Sequence, residues 1–185
     1  MPRKKRWRHW LYAATLLVAG SAGSAQAETF TVTNNNDSGA GSLRQAILDA
    51  EATGGADVIN IANNLGTITL TTGGLFISDS VTINGGVGNS VSGNDAYRPF
   101  FVNAGTVTIS NLTIQNGLAK GGDGGNGSYS SGGGGMGAGG AVFARSGANV
   151  TLDTVTLVGN RAVGGNGGVA NNETYITGGG GGGLG

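Results

Sequence analysis

One eight-residue pattern occurs twice in the chain and constrains the fold more than any other feature of the sequence. Residues 107–114 (VTISNLTI) and 150–157 (VTLDTVTL) share the pattern V-T-aliphatic-x-x-aliphatic-T-aliphatic at an offset of 43 residues. A shorter variant, Val81–Asn84 followed by two glycines, begins 26 residues before the first copy. Short strands that recur with the same letters are typical of solenoids, in which each turn buries its apolar positions against the turns above and below it.

Other segments have the same strand-like composition, and together they predict the fold class. They are short, rich in β-branched residues and separated by Asn, Asp, Ser and Gly; the segments are Val58–Ile61, Thr67–Leu70, Leu75–Ile77, Val81–Ile83, Phe100–Val102, Val107–Ile109, Leu112–Ile114, Ala141–Phe143, Val150–Leu152 and Val155–Leu157. No long helical pattern interrupts them, which disfavours a doubly wound sheet. We expect an all-β fold, a right-handed single-stranded parallel β-helix (solenoid) whose coils occupy residues 58–163, with a corner at Ser110-Asn111. An antiparallel sandwich is the alternative, because it also contains many short strands.

Residues 28–57 are expected to form an N-terminal strand and a capping helix. Thr29–Thr33 alternates polar and apolar residues as a half-buried strand does, and the polar run after it predicts a turn. Ser42 is expected to be the N-cap of the helix, and Gln45, three residues later, to complete a capping box. A single apolar stripe follows at helical spacing, formed by Leu43, Ala46, Ile47 and Ala50, and two glycines at 54 and 55 end the helix. Such a helix would cover the exposed edge of the first coil.

Glycine is concentrated in two tracts. Of the 40 glycines, 13 lie in residues 117–140 and 11 in residues 164–185. Such segments bury too little apolar area to offset their backbone entropy, so we expect loops that project from the coils. Because the second tract reaches the last residue, we expect the sequence to stop inside a repeat of a longer chain.

Gly121–Ser128 approaches a calcium-binding nonapeptide, but Asn126 replaces a ligand aspartate and Ser128 replaces an apolar residue, so no calcium site is assigned.

The first 27 residues have the three regions of a secretory signal peptide. A basic run is followed by the apolar stretch Leu11–Ala19 and by small residues that end at Ala25-Gln26-Ala27. Cleavage after Ala27 would leave Glu28 as the first residue of the mature chain. The apolar stretch is shorter than the roughly 20 residues that span a bilayer, and no Arg-Arg pair is present. We therefore expect export by the Sec pathway and no transmembrane segment after signal cleavage.

Charge and composition exclude several classes of function. Five of the ten basic residues precede position 10, so the remainder carries five basic and ten acidic residues, a net charge of −5 that disfavours nucleic-acid binding. The absence of cysteine and the single histidine exclude disulfides, thiolate zinc sites and any site with two imidazoles. The acids Asp79, Asp95, Asp123 and Asp153 are scattered, and we assign no catalytic, cofactor-binding or metal-ligating residue.

Three Thr-x-Thr triplets, at 67–69, 106–108 and 154–156, are explained by the β-propensity of threonine.

Two motifs resemble those of known bacterial surface proteins. Residues 36–47 (NDSGAGSLRQAI) resemble the D-S-G-x-G-S-L-R-x-A-I segment that opens many large surface proteins with β-helical passengers. Gly139–Val142 followed by Leu157–Asn160 is similar to the paired G-G-A-aliphatic and F-x-x-N repeats of polymorphic outer membrane proteins and related autotransporters, with Leu157 in place of Phe. The resemblance implies a passenger domain displayed by an outer-membrane translocator. We expect no translocator in this chain, because it lacks a series of alternating segments of about ten residues.

Three functional hypotheses follow. The first is a non-enzymatic exported segment of an adhesin or autotransporter passenger, secreted or held at the cell surface, with an extracellular glycan or the surface of a host or neighbouring cell as partner. The second is part of a carbohydrate-active β-helix enzyme, a polysaccharide lyase or glycoside hydrolase. The third is a structural component of an extracellular matrix.

Overall fold

The computed structural model describes residues 26–128 and 130–170 and, as backbone only, a strand at 182–183. The described part is mostly β and contains one helix, α1 (Leu43–Thr53). The strands are β1 (Thr29–Val32), β2 (Asp57–Ile61), β3 (Gly66–Thr69), β4 (Leu75–Ile77), β5 (Val81–Asn84), β6 (Asn89–Ser92), β7 (Phe100–Val102), β8 (Thr106–Ser110), β9 (Thr113–Gln115), β10 (Leu118–Lys120), β11 (Met136–Gly137), β12 (Val142–Ala144), β13 (Asn149–Asp153), β14 (Thr156–Val158), β15 (Arg161–Val163) and β16 (Gly182–Gly183).

The strands form parallel sheets, and their order follows the chain. The first sheet has the order β1-β2-β5-β8-β13, the second β3-β6-β9-β14 and the third β4-β7-β12. From β2 to β9 and again from β12 to β14 the chain supplies strands to the first, second and third sheets in that cyclic order. Strands β10 and β11, which lie between β9 and β12, belong instead to two two-stranded sheets, β10-β15 and β11-β16. Every strand pair among the described residues is parallel, which excludes the antiparallel sandwich for this part of the chain.

The register of the first sheet matches the repeat in the sequence. Val107 pairs with Val150 at an offset of 43 residues, and Val81 pairs with Val107 at an offset of 26. Alternate side chains point to a common core, whose largest fully buried members in the strands of the first two sheets are Val32, Ile59, Ile83, Ile109, Ile68, Val91 and Ile114. We call the strands that the chain supplies between one strand of the first sheet and the next a layer. Burial of one such aliphatic side chain contributes about 1.5–3 kcal/mol, so the in-register stacking of these side chains holds successive layers together. The side chains between them face outward.

Helix α1 covers the β1 end of the core. Its buried residues are the predicted stripe, Leu43, Ala46, Ile47 and Ala50. Ser42 occupies the N-cap position, and its hydroxyl accepts a hydrogen bond from the Gln45 amide at 3.2 Å. The expected capping box is incomplete, because the Gln45 side chain donates to Asp49 one turn later and the Ser42 amide donates to the carbonyl of Gly39. The carbonyl of Gly39 therefore accepts the hydrogen bond from the Ser42 amide that the Gln45 side chain would accept in a complete capping box.

The corners between the first and second sheets require a left-handed backbone. Strand β8 ends at Ser110, and the chain turns at Asn111, whose φ is 50°. In the next layer Thr154 occupies the same place with a φ of 55°. Asparagine tolerates this region because its short side chain bonds locally, whereas a β-branched residue is strained there. The sequence predicts this corner at Ser110-Asn111, whereas in the structure it lies one residue later, at Asn111 and Leu112.

The glycine tracts are ordered by backbone hydrogen bonds rather than by apolar burial. We define an outgoing segment (121–128), a return segment (131–137) and an upper segment (163–170). The outgoing segment donates to the upper segment, from the amides of 121, 124 and 127 to the carbonyls of 163, 166 and 169. The return segment donates to the outgoing segment, from 132 and 135 to 125 and 122. The upper segment donates to the return segment, from 165 and 168 to 135 and 132. No described glycine of these segments has a positive φ. A three-residue period with negative φ is that of a polyproline II helix.

This packing explains why so many residues of the tracts are glycine. A Cβ at Gly124 would meet the carbonyl oxygen of Gly132, and one at Gly168 would meet that of Gly125. By contrast, a Cβ at Gly122 or Gly125 would meet nothing within 4 Å. The described part of both tracts is mostly without regular secondary structure, and each segment hydrogen-bonds to the other two. Composition does not reveal this order, because the contacts involve only the main chain.

Candidate functional site

The motif that resembles surface-protein N-termini forms a clasp between the helix and the first layer. The Asp37 carboxylate accepts hydrogen bonds from the Arg44 guanidinium at 2.6 Å and from the amides and hydroxyls of Thr71 and Thr72 at 2.7–3.1 Å. Arg44 also donates to the carbonyls of Gly73 and Gly74 at 2.6 and 2.9 Å. Burial alone would raise the pKa of Asp37, but the bonds from Arg44 and the two threonines hold it well below its usual range. These contacts join α1 and the turn before it to residues 71–74.

A polar groove lies on the outer face of the second sheet and is the best candidate for a binding surface. Its floor is a row of hydroxyl side chains that the parallel register places one above another; the row is Thr67, Ser90, Thr113 and Thr156. The Ser90 hydroxyl donates to that of Thr67 at 2.9 Å, and the Gln115 amide reaches Ser90 at 3.5 Å. The groove has a volume of about 420 Å³.

The corner residues form one wall of the polar groove. Asn111 and Thr154 stand at the turns between sheets, and the small residues Gly66, Gly86 and Gly88 leave room beside the hydroxyl row. Gly86 and Gly88 have φ values of 72° and 74°, which glycine adopts without strain. The polar groups that line the groove are neutral hydroxyls, amides and backbone groups, so the groove offers donors and acceptors without a net charge.

A second concavity, the aromatic cleft, lies beside the third sheet. Phe76, Phe101 and Phe143 stack on its outer face, with ring centroids 5.3 and 5.4 Å apart. The Arg98 guanidinium lies 4.9 Å from the centroid of the Phe143 ring, and it donates to the carbonyls of Gly139 and Ala138 at 2.6 Å. Burial lowers the pKa of Arg98 from its ordinary value. These contacts hold Arg98 against the rings and the backbone, while Phe76 at the other end of the stack is 52% exposed.

The residues considered for calcium have other partners. Asp123 Oδ1 accepts the amide of Asn166 at 2.8 Å, and Asn126 Oδ1 accepts that of Val169 at 2.7 Å. The bond from Asn166 and the nearby charge of Lys120 lower the pKa of Asp123. In the part of the chain that the structure describes, no group of three or more His, Cys, Asp or Glu side chains could hold a metal ion. These oxygens align the outgoing and upper segments.

The predicted cleavage site falls at the edge of the described residues. Ala25 lies outside them, whereas Ala27 and Glu28 are exposed at the start of β1. The Glu28 amide donates to Asp57 Oδ1 at 2.7 Å. No described helix is long and apolar enough to cross a membrane.

The polar groove was not predicted as a site from the sequence. Two of the Thr-x-Thr triplets contain Thr67 and Thr156, but Thr113 belongs to no triplet and Ser90 belongs to a strand that the sequence did not predict. Only the register of four strands shows that these hydroxyls form one row.

Comparison of the chain with protein-family models, curated proteins and solved structures found no match.

Proposed function

We propose that the chain is an exported, non-enzymatic surface module of the adhesin or autotransporter-passenger type, and that its polar groove binds a neutral glycan. The fold we propose for it is a right-handed single-stranded parallel β-helix with α1 as its N-terminal cap. The cyclic order in which the chain supplies strands to three parallel sheets supports this fold. The signal-peptide pattern supports export, and the resemblance of residues 36–47 to passenger N-termini supports display at the cell surface.

The single observation that carries the binding proposal is the hydroxyl row in the polar groove. Its members stand on neighbouring parallel strands, whose spacing is about 4.8 Å, so the row is regular and its backbone is fixed before any ligand arrives. Fixed donors and acceptors reduce the entropy cost of binding. A glycan presents its own hydroxyls at regular intervals, and each can donate to and accept from hydroxyl and amide groups.

The volume and charge of the groove favour the same class of ligand. About 420 Å³ is within the range of 300–1,000 Å³ typical of small-molecule sites. The side chains that line the groove carry no formal charge. We therefore propose a neutral oligosaccharide rather than an acidic one as the ligand.

The experiment is a glycan-array screen of the exported protein followed by calorimetry with the best neutral oligosaccharide. The double variant S90A/T113V removes two hydroxyls from the row and keeps β-propensity at position 113. Because one net hydrogen bond contributes about 1 kcal/mol, we expect this variant to weaken binding about 10–30-fold.

The matched control is Thr108→Val, which removes a hydroxyl from the outward face of the first sheet. It should leave the dissociation constant within about twofold of the original value. Equal weakening by the control and by S90A/T113V, or no neutral glycan bound at millimolar concentration, would contradict the proposal.

A further inference from the structure

Asp57 breaks the pattern of the first sheet at a position where the other layers have valine. It pairs in register with Val81, which pairs with Val107, which in turn pairs with Val150. Asp57 is only 2% exposed, so a carboxylate replaces an aliphatic side chain at the edge of the core. Burial of a charge is costly unless the charge is paired, and an aspartate at this position therefore needs an explanation.

The partners of Asp57 in the described part of the chain are neutral. Oδ1 accepts the backbone amide of Glu28 at 2.7 Å, and Oδ2 accepts the Thr53 hydroxyl at 3.0 Å. The ion pairs among the described residues involve other acids, namely Asp37, Asp95 and Asp123. Two neutral donors give each carboxylate oxygen one hydrogen bond but leave the negative charge uncompensated.

Glu28 is also the residue that follows the predicted signal-peptide cleavage site. Hydrolysis of the Ala27–Glu28 peptide bond consumes one water, leaves a carboxylate on Ala27 and converts the Glu28 amide nitrogen into an α-amino group. This group is mostly protonated at neutral pH, because its ordinary pKa is about 7.7–8.0. The nitrogen already lies at the distance typical of a charge-assisted hydrogen bond, about 2.7–2.9 Å.

We propose that signal-peptide cleavage creates the missing cation, and that the α-ammonium of Glu28 forms an ion pair with the buried Asp57 carboxylate. The pair locks the new N-terminus onto β2 and, through Thr53, onto the end of α1. The cap reaches its full stability only in the processed chain, whereas the precursor keeps an uncompensated charge under it. This inference rests on the export signal of the proposed function and is independent of the glycan proposal.

The experiment uses the full chain expressed with its own leader in a secretory host, with the N-terminus of the product identified by mass spectrometry. Insertion of one glycine between Ala27 and Glu28 moves the ammonium away and leaves a neutral amide at Glu28. Because a buried carboxylate then loses its cation, we expect the melting temperature to fall by about 5–10 °C. The control Glu28→Ser keeps the α-ammonium, and because the Glu28 side chain is exposed it should change the melting temperature by no more than about 1 °C.

Asp57→Val supplies the second arm, because valine is the residue of the other layers at this position. In the Asp57→Val protein the same glycine insertion should change the melting temperature by no more than about 1 °C, since no carboxylate remains to be paired. An equal fall in both backgrounds would overturn the proposal, as would a product whose N-terminus is not Glu28.

The reactivity of the amine gives a readout that needs no substitution at Asp57. The Glu28 amine of the folded product should react at least about tenfold more slowly with an acylating reagent than the N-terminal amine of the glycine-insertion variant. Equal rates would overturn the proposal even if Asp57→Val fails to fold. Loss of glycan binding with an intact ion pair would count against the proposed function alone.

Discussion

Replacement of Asp37 by asparagine should loosen the helical cap, because it removes the charge of the clasp while keeping its shape. Asp37 is 8% exposed and Arg44 is 21% exposed, so their ion pair is largely shielded from water. Five hydrogen bonds end on the carboxylate, from Arg44, Thr71 and Thr72. An asparagine oxygen can keep the bonds from the threonines, but its NH₂ group then faces the Arg44 donors.

The loss should be about 2 kcal/mol, since a hydrogen bond to a charged group contributes about 1.5–3 kcal/mol. Asp37→Ala, which also leaves the Thr71 and Thr72 amides without their acceptor, should cost about 3–4 kcal/mol. At about 2–4 °C per kcal/mol for a chain of this size, the melting temperature should fall by about 6 °C for the asparagine variant. Thermal and urea unfolding followed by circular dichroism measure both values. The matched control, Asp49→Asn on the exposed side of α1, should change stability by less than about 0.5 kcal/mol.

The pH dependence tests the same clasp independently. The folded pKa of Asp37 is lowered, so its contribution to stability is present above its ordinary value of about 3.9 and is lost as the pH falls below that value. The Asp37→Asn protein should lack this part of the acid-induced loss, and the difference in free energy of unfolding between the two proteins should shrink between pH 5 and pH 2. A difference that stays constant over this range, or an asparagine variant as stable as the original protein at pH 7, would refute the reasoning.

Two further predictions concern the backbone. Thr154→Asn should stabilise the protein by about 0.5–1 kcal/mol, because asparagine tolerates the left-handed corner that strains threonine. Asn111→Thr should destabilise the protein by at least as much for the same reason. Urea unfolding of both variants measures the sign of each change. Gly124→Ala should cost about 2–4 kcal/mol, because its Cβ meets a carbonyl of the return segment, whereas Gly125→Ala, whose Cβ meets nothing within 4 Å, should be neutral or slightly stabilising. A similar loss for both alanine variants in thermal unfolding would mean that the segments are not packed as described.

The parts of the fold with an apolar pattern could be predicted from the sequence. The helix stripe at Leu43, Ala46, Ile47 and Ala50 is buried, and the strand segments with two aliphatic residues fall in strands or within one residue of them. Strand β6 was missed because its sequence, Asn-Ser-Val-Ser, has a single aliphatic residue. Its Asn89 is buried, and it accepts from the amides of Leu65 and Gly66 and donates to the carbonyls of Ala62 and Gly85. A polar side chain thus secures this layer, and hydrophobic periodicity does not detect it.

The site and the glycine segments depend on contacts that a linear pattern does not contain. Thr67 and Thr156 are far apart in sequence and belong to one row only because each layer keeps the register of the layer before it. Similarly, Gly121 donates to the carbonyl of Val163 through main-chain atoms that every residue has. The proposed ion pair of Glu28 and Asp57 depends both on register and on a processing event.

The layers tolerate connections of very different length between strands. Strands β5 and β8 pair at an offset of 26 residues and β8 and β13 at 43, yet valine pairs with valine and threonine with threonine in both cases, and Ile109 pairs with an aliphatic residue on each side. The additional length lies mainly beyond β10, where the outgoing and return segments leave the third layer and come back. Unrelated peptides grafted between residues 127 and 131 should therefore leave the aliphatic stack intact. We therefore expect the tip between these two segments to accept changes of sequence and length that leave the paired strands beneath it in place.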